Sequence, residues 1–344
     1  MSKPLVVVTG ATGFIASHII AQLLQQNYPV RATLRNATKI KLVEAMLKQA
    51  GVTDLSQLSF MEADLNTDDH WADVMQGAEY VMSVASSTPT GEFADADAMT
   101  STAVNGLLRV LTSARDAGVK RVVLTSAFGA IGMGHKNRTT PFTEKDWTNL
   151  DDPNLDPYQR SKTQAEHAAW HFIETEGHGM ELAAINPVGV MGPVLSSDFS
   201  HSNQQIVQLM SGQVPAVPNV NSGYIDVRDV ASLHILAMTN SKANGQRFLA
   251  TTGETLSMLD VANILRAAFP AFTDKLPTTV IPDAILIETA KSNPMLKMVA
   301  SLVGNYADTS NEKAETLLDW HPRSAKEAII ATAQSMLDLG IIKA

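Results

Sequence analysis

The sequence predicts an α/β chain: a doubly wound parallel sheet with a smaller, mostly helical C-terminal lobe. Three observations carry this. Strand and helix patterns alternate through the first half of the 344 residues. The strands read as continuous apolar runs, as strands buried on both faces do. A glycine-rich turn joins the first strand to the first helix.

In chain order, LVVVTG from Leu5 is a buried strand and GFIASHIIAQLLQQN from Gly13 has helical spacing. PVRATLR is a second strand, KIKLVEAMLKQAG a helix, LSFMEADL a third strand, HWADVMQG a short helix and AEYVMSVAS a fourth strand. The long helix ADADAMTSTAVNGLLRVLTSARDAG precedes a fifth strand, VKRVVLTSA. The helix carrying TQAEHAAWHFIE leads into MELAAINPVGVMGP, read as a sixth strand. Beyond Val194 the pattern loosens. YIDVRDVASLHILAM and QRFLATTG read as elements returning to the sheet. The stretches around them, with Pro215, Pro218, Pro277, Pro282 and Pro294, read as the smaller lobe. The expected division is interleaved: residues 1–190 and 222–250 in the sheet domain, 191–221 and 251–344 in the lobe.

Composition narrows the function. A formal net charge of -9 without basic blocks argues against nucleic acid and anionic membranes as partners. No cysteine is present, which excludes disulfides, thiolate chemistry and Cys-based zinc sites, and allows a reducing, cytoplasmic setting. No signal peptide is recognisable. The uncharged run from Pro4 to Leu24 has the length of a membrane span, but its two glycines and two threonines divide it into a strand and a helix.

TGATGFI places Gly10 and Gly13 in the turn between the first strand and the first helix, with Thr12, Phe14 and Ile15 beside them. In such a βαβ setting the glycines let backbone approach a pyrophosphate and the helix N-terminus favours the anion. Ala16, at the third glycine position, is small enough for close helix–strand packing. The second strand ends in Arg35, where a site for NAD would want an acid to hold the ribose hydroxyls. Arg35, with Asn36, Lys39 and Lys41, suits a 2′-phosphate, so NADPH is expected over NADH. Asp64 and Leu65 after the third strand stand where the adenine edge would come, and Val84, Ala85 and Ser86 at the end of the fourth lie where a dinucleotide crosses.

Tyr158 and Lys162, in YQRSK, stand four apart at the start of a helix and therefore share a face. TGATGFI, the Arg-ended second strand, ADL, VVLTSAFGAIG, FTEKDWT, YQRSK and NPVGVMGP follow in that order over the first two-thirds of the chain. Together they resemble the extended short-chain dehydrogenase/reductases with a Rossmann-type domain, and among them the dihydroflavonol reductase and cinnamoyl-CoA reductase group with its microbial aldehyde and ketone reductases. The C-terminal stretch resembles the group only loosely. The resemblance implies an NADPH-dependent carbonyl reductase. Tyr158 would protonate the carbonyl oxygen, and Lys162 would hold the nicotinamide ribose and tune that phenol. Pro187 and Val190 would lie against the nicotinamide, and Ser202 would touch phosphate.

The sequence departs from that group in VVLTSAFGAIG, where the second serine is replaced by Ala127. Ser126 is the expected substitute as carbonyl-polarising hydroxyl; Thr125 or a water is the alternative. Where plant flavonoid enzymes carry a polar specificity residue stands Gly132, which argues against large polyphenols as substrates. Two other functions stay open: a sugar-nucleotide epimerase or dehydratase on the same fold, and a non-catalytic NADPH-binding regulator. His167 and His171 share a helix face but have no identifiable third ligand, so no metal is expected. Met133, Met191 and Met210 read as core, or as an adaptable pocket wall. The serine-rich SSDFSHSN reads as a loop or a lid over the cleft. The expected partner is a small carbonyl compound, and the chain a monomer or homodimer.

Overall fold

The computed structural model describes residues 3–86, 96–135, 138–293, 296, 299–300, 302–304 and 308–343. Its main sheet has seven parallel strands in the order β3-β2-β1-β4-β5-β6-β9. These are β1 (Leu5–Val8), β2 (Val30–Leu34), β3 (Leu58–Glu62), β4 (Ala78–Ser83), β5 (Arg121–Thr125), β6 (Glu181–Pro187) and β9 (Gln246–Ala250). The order runs outward from β1 to β3, then reverses from β1 to β4. That reversal is the crevice in which doubly wound sheets bind ligands.

Strand alternation sends successive side chains to opposite layers. Val6, Val8, Val123, Ala183 and Ile185 pack with Ile19, Ile20, Val230 and Leu233 of α1 (Phe14–Gln25) and α7 (Val227–Thr239). Val7, Val122, Leu124, Leu182 and Ala184 face Leu107, Leu111, Ala165, Ala169 and Phe172 of α4 (Ala96–Asp116) and α5 (Pro157–Glu176). Helices α2 (Ile40–Gln49) and α3 (Trp71–Met75) complete the layers. Residues 94 and 95, expected to open α4, lie outside the described residues.

Two expectations are corrected. The sixth strand does not run through to residue 193. β6 ends at Pro187, and β7 (Gly189–Met191) turns into a separate three-stranded sheet, β10-β8-β7. β8 (Asn221–Asp226) likewise does not return to the main sheet. It pairs with β7 and with β10 (Thr255–Ser257), and only α7 and β9 rejoin the larger layers. Apolar runs identify strands but not which sheet they join, because pairing partners are set by the whole fold.

A third cluster unites Ile206, Leu209 and Met210 of α6 (His201–Met210), Val261 and Leu265 of α8 (Met258–Ala268), and Ile329 and Met336 near the C-terminus. Ser257 caps α8 in a capping box with Asp260. Met191 and Met210 are fully buried here as core, and Met133 is half-buried. α9 (Asp283–Ala290), α10 (Glu312–Leu318) and α11 (Ala325–Asp338) complete the chain. The serine-rich stretch is not all loop, since α6 opens at His201. Among the described residues no helix is long and apolar enough to cross a membrane.

Candidate active site

The glycine turn is built as its chemistry requires. Gly10 has φ +75°, and a Cβ there would stand 3.0 Å from the Ala85 Cβ, so the β1 and β4 ends approach backbone to backbone. Gly13 is the N-cap of α1 and offers no side chain, leaving the first-turn N–H groups open to an anion. Thr12 is half-buried, and Phe14 and Ile15 form the first turn, with Phe14 edge-on to His18 at 5.6 Å. The Thr9 hydroxyl accepts the Val84 and Ala85 N–H groups, both at 2.9 Å, and fixes the two strand ends together.

Arg35, Lys39 and Lys41 are exposed, and among the described residues their side chains have no hydrogen-bonding or ion-pair partner. Glu62, at the end of the neighbouring strand, is occupied in accepting the Ala37 N–H at 2.5 Å. Asp64 holds Asn66 through its backbone N–H and amide, each at 2.9 Å. These residues fit an NADP-type dinucleotide: close backbone at the pyrophosphate, an uncapped helix start and uncompensated cations at the second strand's end.

Asp156 caps α5 by accepting from the Tyr158 and Gln159 N–H groups, and Pro157 occupies the first helical position. This fixes Tyr158 one turn ahead of Lys162, whose Nζ lies 5.9 Å from the tyrosine ring centre. Neither Tyr158 Oη nor Lys162 Nζ has a hydrogen-bond partner among the described residues, and both side chains are half-buried. Leu65, Ala85, Ser86, Ser126 and Lys162 are brought together around a recess of about 30 Å³ between the ends of β4 and β5 and helices α4 and α5. Pro187 is the buried last residue of β6, Val190 is buried in β7, and Ser202 lies in the first turn of α6, outside this recess.

Two buried hydroxyls stand at the end of β5, Thr125 as its last residue and Ser126 just beyond it. Ser126 Oγ donates to Glu166 Oε2 at 2.5 Å. Thr125 points to the other side of the sheet, where its hydroxyl meets His234 Nε2 at 2.7 Å. His234 Nδ1 lies 2.8 Å from the Val230 carbonyl and must carry the hydrogen of that bond. Complete burial lowers the His234 pKa to about 4, so the ring is neutral and Nε2 accepts from Thr125.

Glu166 escaped the sequence reading, although it stands four residues past Lys162 on the same helix. Its side chain is fully buried. Besides Ser126, it accepts from Arg247 Nε at 2.6 Å, Asn186 Nδ2 at 2.7 Å and Trp170 Nε1 at 3.2 Å. Asn186 Nδ2 also reaches the Ala127 carbonyl at 3.2 Å, and Arg247 Nη1 holds the carbonyls of Glu144 and Asp146. Arg247 covers the Trp147 ring at 3.6 Å, whose other partner, His167, stacks at 3.8 Å. Of the helix-face pair His167 and His171, the first is thus engaged in an aromatic stack, and among the described residues no group of three metal-ligating side chains occurs.

Comparisons with known proteins agree with this architecture. The model of the NAD dependent epimerase/dehydratase family matches residues 6–250. Cinnamoyl-CoA reductase CAD2 of Medicago truncatula is 35% identical over 280 residues, covering 77% of this chain and 81% of the relative. NADPH-dependent methylglyoxal reductase GRE2 of Saccharomyces cerevisiae is 31% identical over 358 residues, covering 96% of this chain and 98% of the relative. The crystal structure of yeast methylglyoxal/isovaleraldehyde reductase Gre2 complexed with NADPH superposes with a TM-score of 0.80 at 29% identity, covering 98% of this chain and 100% of that one.

Proposed function

This chain belongs to the NAD dependent epimerase/dehydratase family, and from that premise we propose that it is an NADPH-dependent carbonyl reductase. The observation that carries the reading is the pair of unpartnered groups, Tyr158 Oη and Lys162 Nζ, one helical turn apart, of which Lys162 lines the strand-end recess. The family relatives named as NADPH-dependent or cinnamoyl-CoA reductases support it.

NADPH, when bound, supplies the hydride. Tyr158 gives its phenolic proton to the carbonyl oxygen as the carbon is reduced, so an aldehyde or ketone becomes an alcohol. Lys162 holds the nicotinamide ribose and keeps a cation beside the phenol. Gly10, Thr12, Gly13, Phe14 and Ile15 receive the pyrophosphate, and Arg35 with Lys41 receives the 2′-phosphate. Asp64 and Leu65 border the adenine, and Val84, Ala85, Ser86, Pro187 and Val190 line the path to the nicotinamide, with Ser202 a phosphate contact from the lobe. The substrate enters between the main sheet's edge and the smaller lobe that carries the β10-β8-β7 sheet, α6 and α8. Arg35 speaks against the tightly held NAD of sugar-nucleotide epimerases.

The test is NADPH and NADH oxidation by the purified protein over a panel of aldehydes and ketones, with Tyr158→Phe in parallel. Turnover with NADPH that drops by about 100- to 10,000-fold in the variant is the expected result. Tight NADPH binding without turnover of any carbonyl would instead support a regulatory protein.

A further inference from the structure

We propose that, among the described residues, the substrate oxygen meets a single side-chain donor, Tyr158 Oη, and that Ala127 is the residue that sets this. Ser126 is then a positioning residue, and the site depends on carbonyls whose carbon is already electron-poor. The inference rests on the carbonyl-reductase reading above.

Hydride addition turns a carbonyl oxygen into an alkoxide, and donors aimed at that oxygen lower the barrier. At the end of β5 and β6 each side-chain donor is already committed. Ser126 has one hydroxyl proton, and it goes to the buried Glu166 carboxylate at 2.5 Å. Thr125 gives its proton to His234 across the sheet. Asn186 directs its amide group to Glu166 and to the Ala127 carbonyl, and its buried Oδ1 can only accept. Residue 127, two positions past the end of β5, is half-buried and extended, and carries only a methyl group.

Drawing Ser126 toward a substrate would strip a donor from a carboxylate that is fully buried and held by Arg247, Trp170 and Asn186. A buried carboxylate depends on such bonds. The Glu166 contacts instead tie the helix bearing Tyr158 and Lys162 to the ends of β5 and β6, which positions the recess. With one donor, more of the polarisation must come from the substrate. The rate should therefore depend steeply on electron withdrawal at the carbonyl.

The experiment measures kcat/KM with NADPH for a series of para-substituted benzaldehydes, from electron-poor to electron-rich, in the wild type, Ala127→Ser and Ser126→Ala. NADPH Kd by fluorescence and thermal melting accompany each variant. A second donor at residue 127 should raise the rate for the electron-rich members by about 10- to 100-fold and for the electron-poor ones far less, flattening the dependence. Ser126→Ala should lower all members by one common factor, leaving the dependence unchanged, and should lower the melting temperature. An unchanged dependence in Ala127→Ser overturns the proposal. So does a loss of about 100- to 1000-fold in Ser126→Ala with a steeper dependence, which identifies Ser126 as the donor. If Ala127→Ser does not fold, Ser126→Ala decides. A wild type that reduces no member removes the reductase reading itself, whereas turnover with the wrong response in the variants removes this inference alone.

Discussion

The ring of Phe128 occupies the space into which a side chain at residue 132 would grow: a Cβ on Gly132 would stand 2.2 Å from Phe128 Cζ. Phe128 is half-buried and packs edge-on against Phe142 at 5.6 Å, and the Arg138 guanidinium lies 4.1 Å over the Phe142 ring. The absence of a side chain at 132 is therefore filled by an aromatic one at 128, immediately after Ala127.

Gly132→Val should accordingly force Phe128 out of its place. Overpacking of this kind destabilises by about 1–3 kcal/mol. The expected kinetic signature is a KM change for the carbonyl substrate with NADPH affinity unaltered, measured by steady-state kinetics beside urea denaturation. A stable variant with unchanged KM for every carbonyl would separate Phe128 from the substrate.

Arg35→Ala should weaken NADPH by roughly 10- to 100-fold, equivalent to about 1.4–2.7 kcal/mol, the range of a charge-assisted phosphate contact, and leave NADH nearly unchanged. Raising the salt concentration should shrink the NADPH preference of the wild type, because Arg35, Lys39 and Lys41 are exposed. Equal losses for both cofactors would move the 2′-phosphate away from this strand end.

Gly10→Ala meets two obstacles, the left-handed φ of +75° and the 3.0 Å approach to Ala85. The backbone strain is worth about 1–3 kcal/mol. Because the turn forms the pyrophosphate approach, cofactor affinity should fall along with stability, and titration calorimetry with NADPH reads the first directly.

Arg247→Met should cost about 3–5 kcal/mol of stability, since it leaves the fully buried Glu166 carboxylate without its cation. The double variant with Glu166→Leu should be less destabilised than Arg247→Met alone, which a denaturant double-mutant cycle measures. Additive losses would mean that the two side chains are not coupled.

Acid should destabilise the protein in a defined window. Burial lowers His18 and His234 each to about 4 from the ordinary 6.5. Between those values the unfolded chain binds protons that the folded one does not, so stability is intact above about 6.5 and falls as the pH drops toward 4. Each group contributes up to about 3 kcal/mol. Denaturant unfolding at pH 7.5 and 5 should show the loss, and His234→Asn should reduce the difference between the two pH values. An identical pH difference in the variant would remove His234 from the account.

The alternation of strands and helices, the glycine turn, Arg35 and the Tyr158–Lys162 spacing were all legible in the sequence, because each is local. A turn, a helical face or an apolar run is encoded by neighbours within a few residues. Position 127 could be read as a departure, but its meaning could not. Ser126 stood next to it in the chain and was the natural substitute. Only the fold brings Glu166 from α5, Asn186 from β6 and Arg247 from β9 to one point behind that strand end, and so decides where the Ser126 proton goes. In the same way the sequence determined that NPVGVMGP and YIDV are strand-like, while tertiary structure sent β7 and β8 to a second sheet. Those pairings, and the burial that makes the Glu166 contacts strong, arise between residues far apart in the chain, where neither periodicity nor spacing carries information.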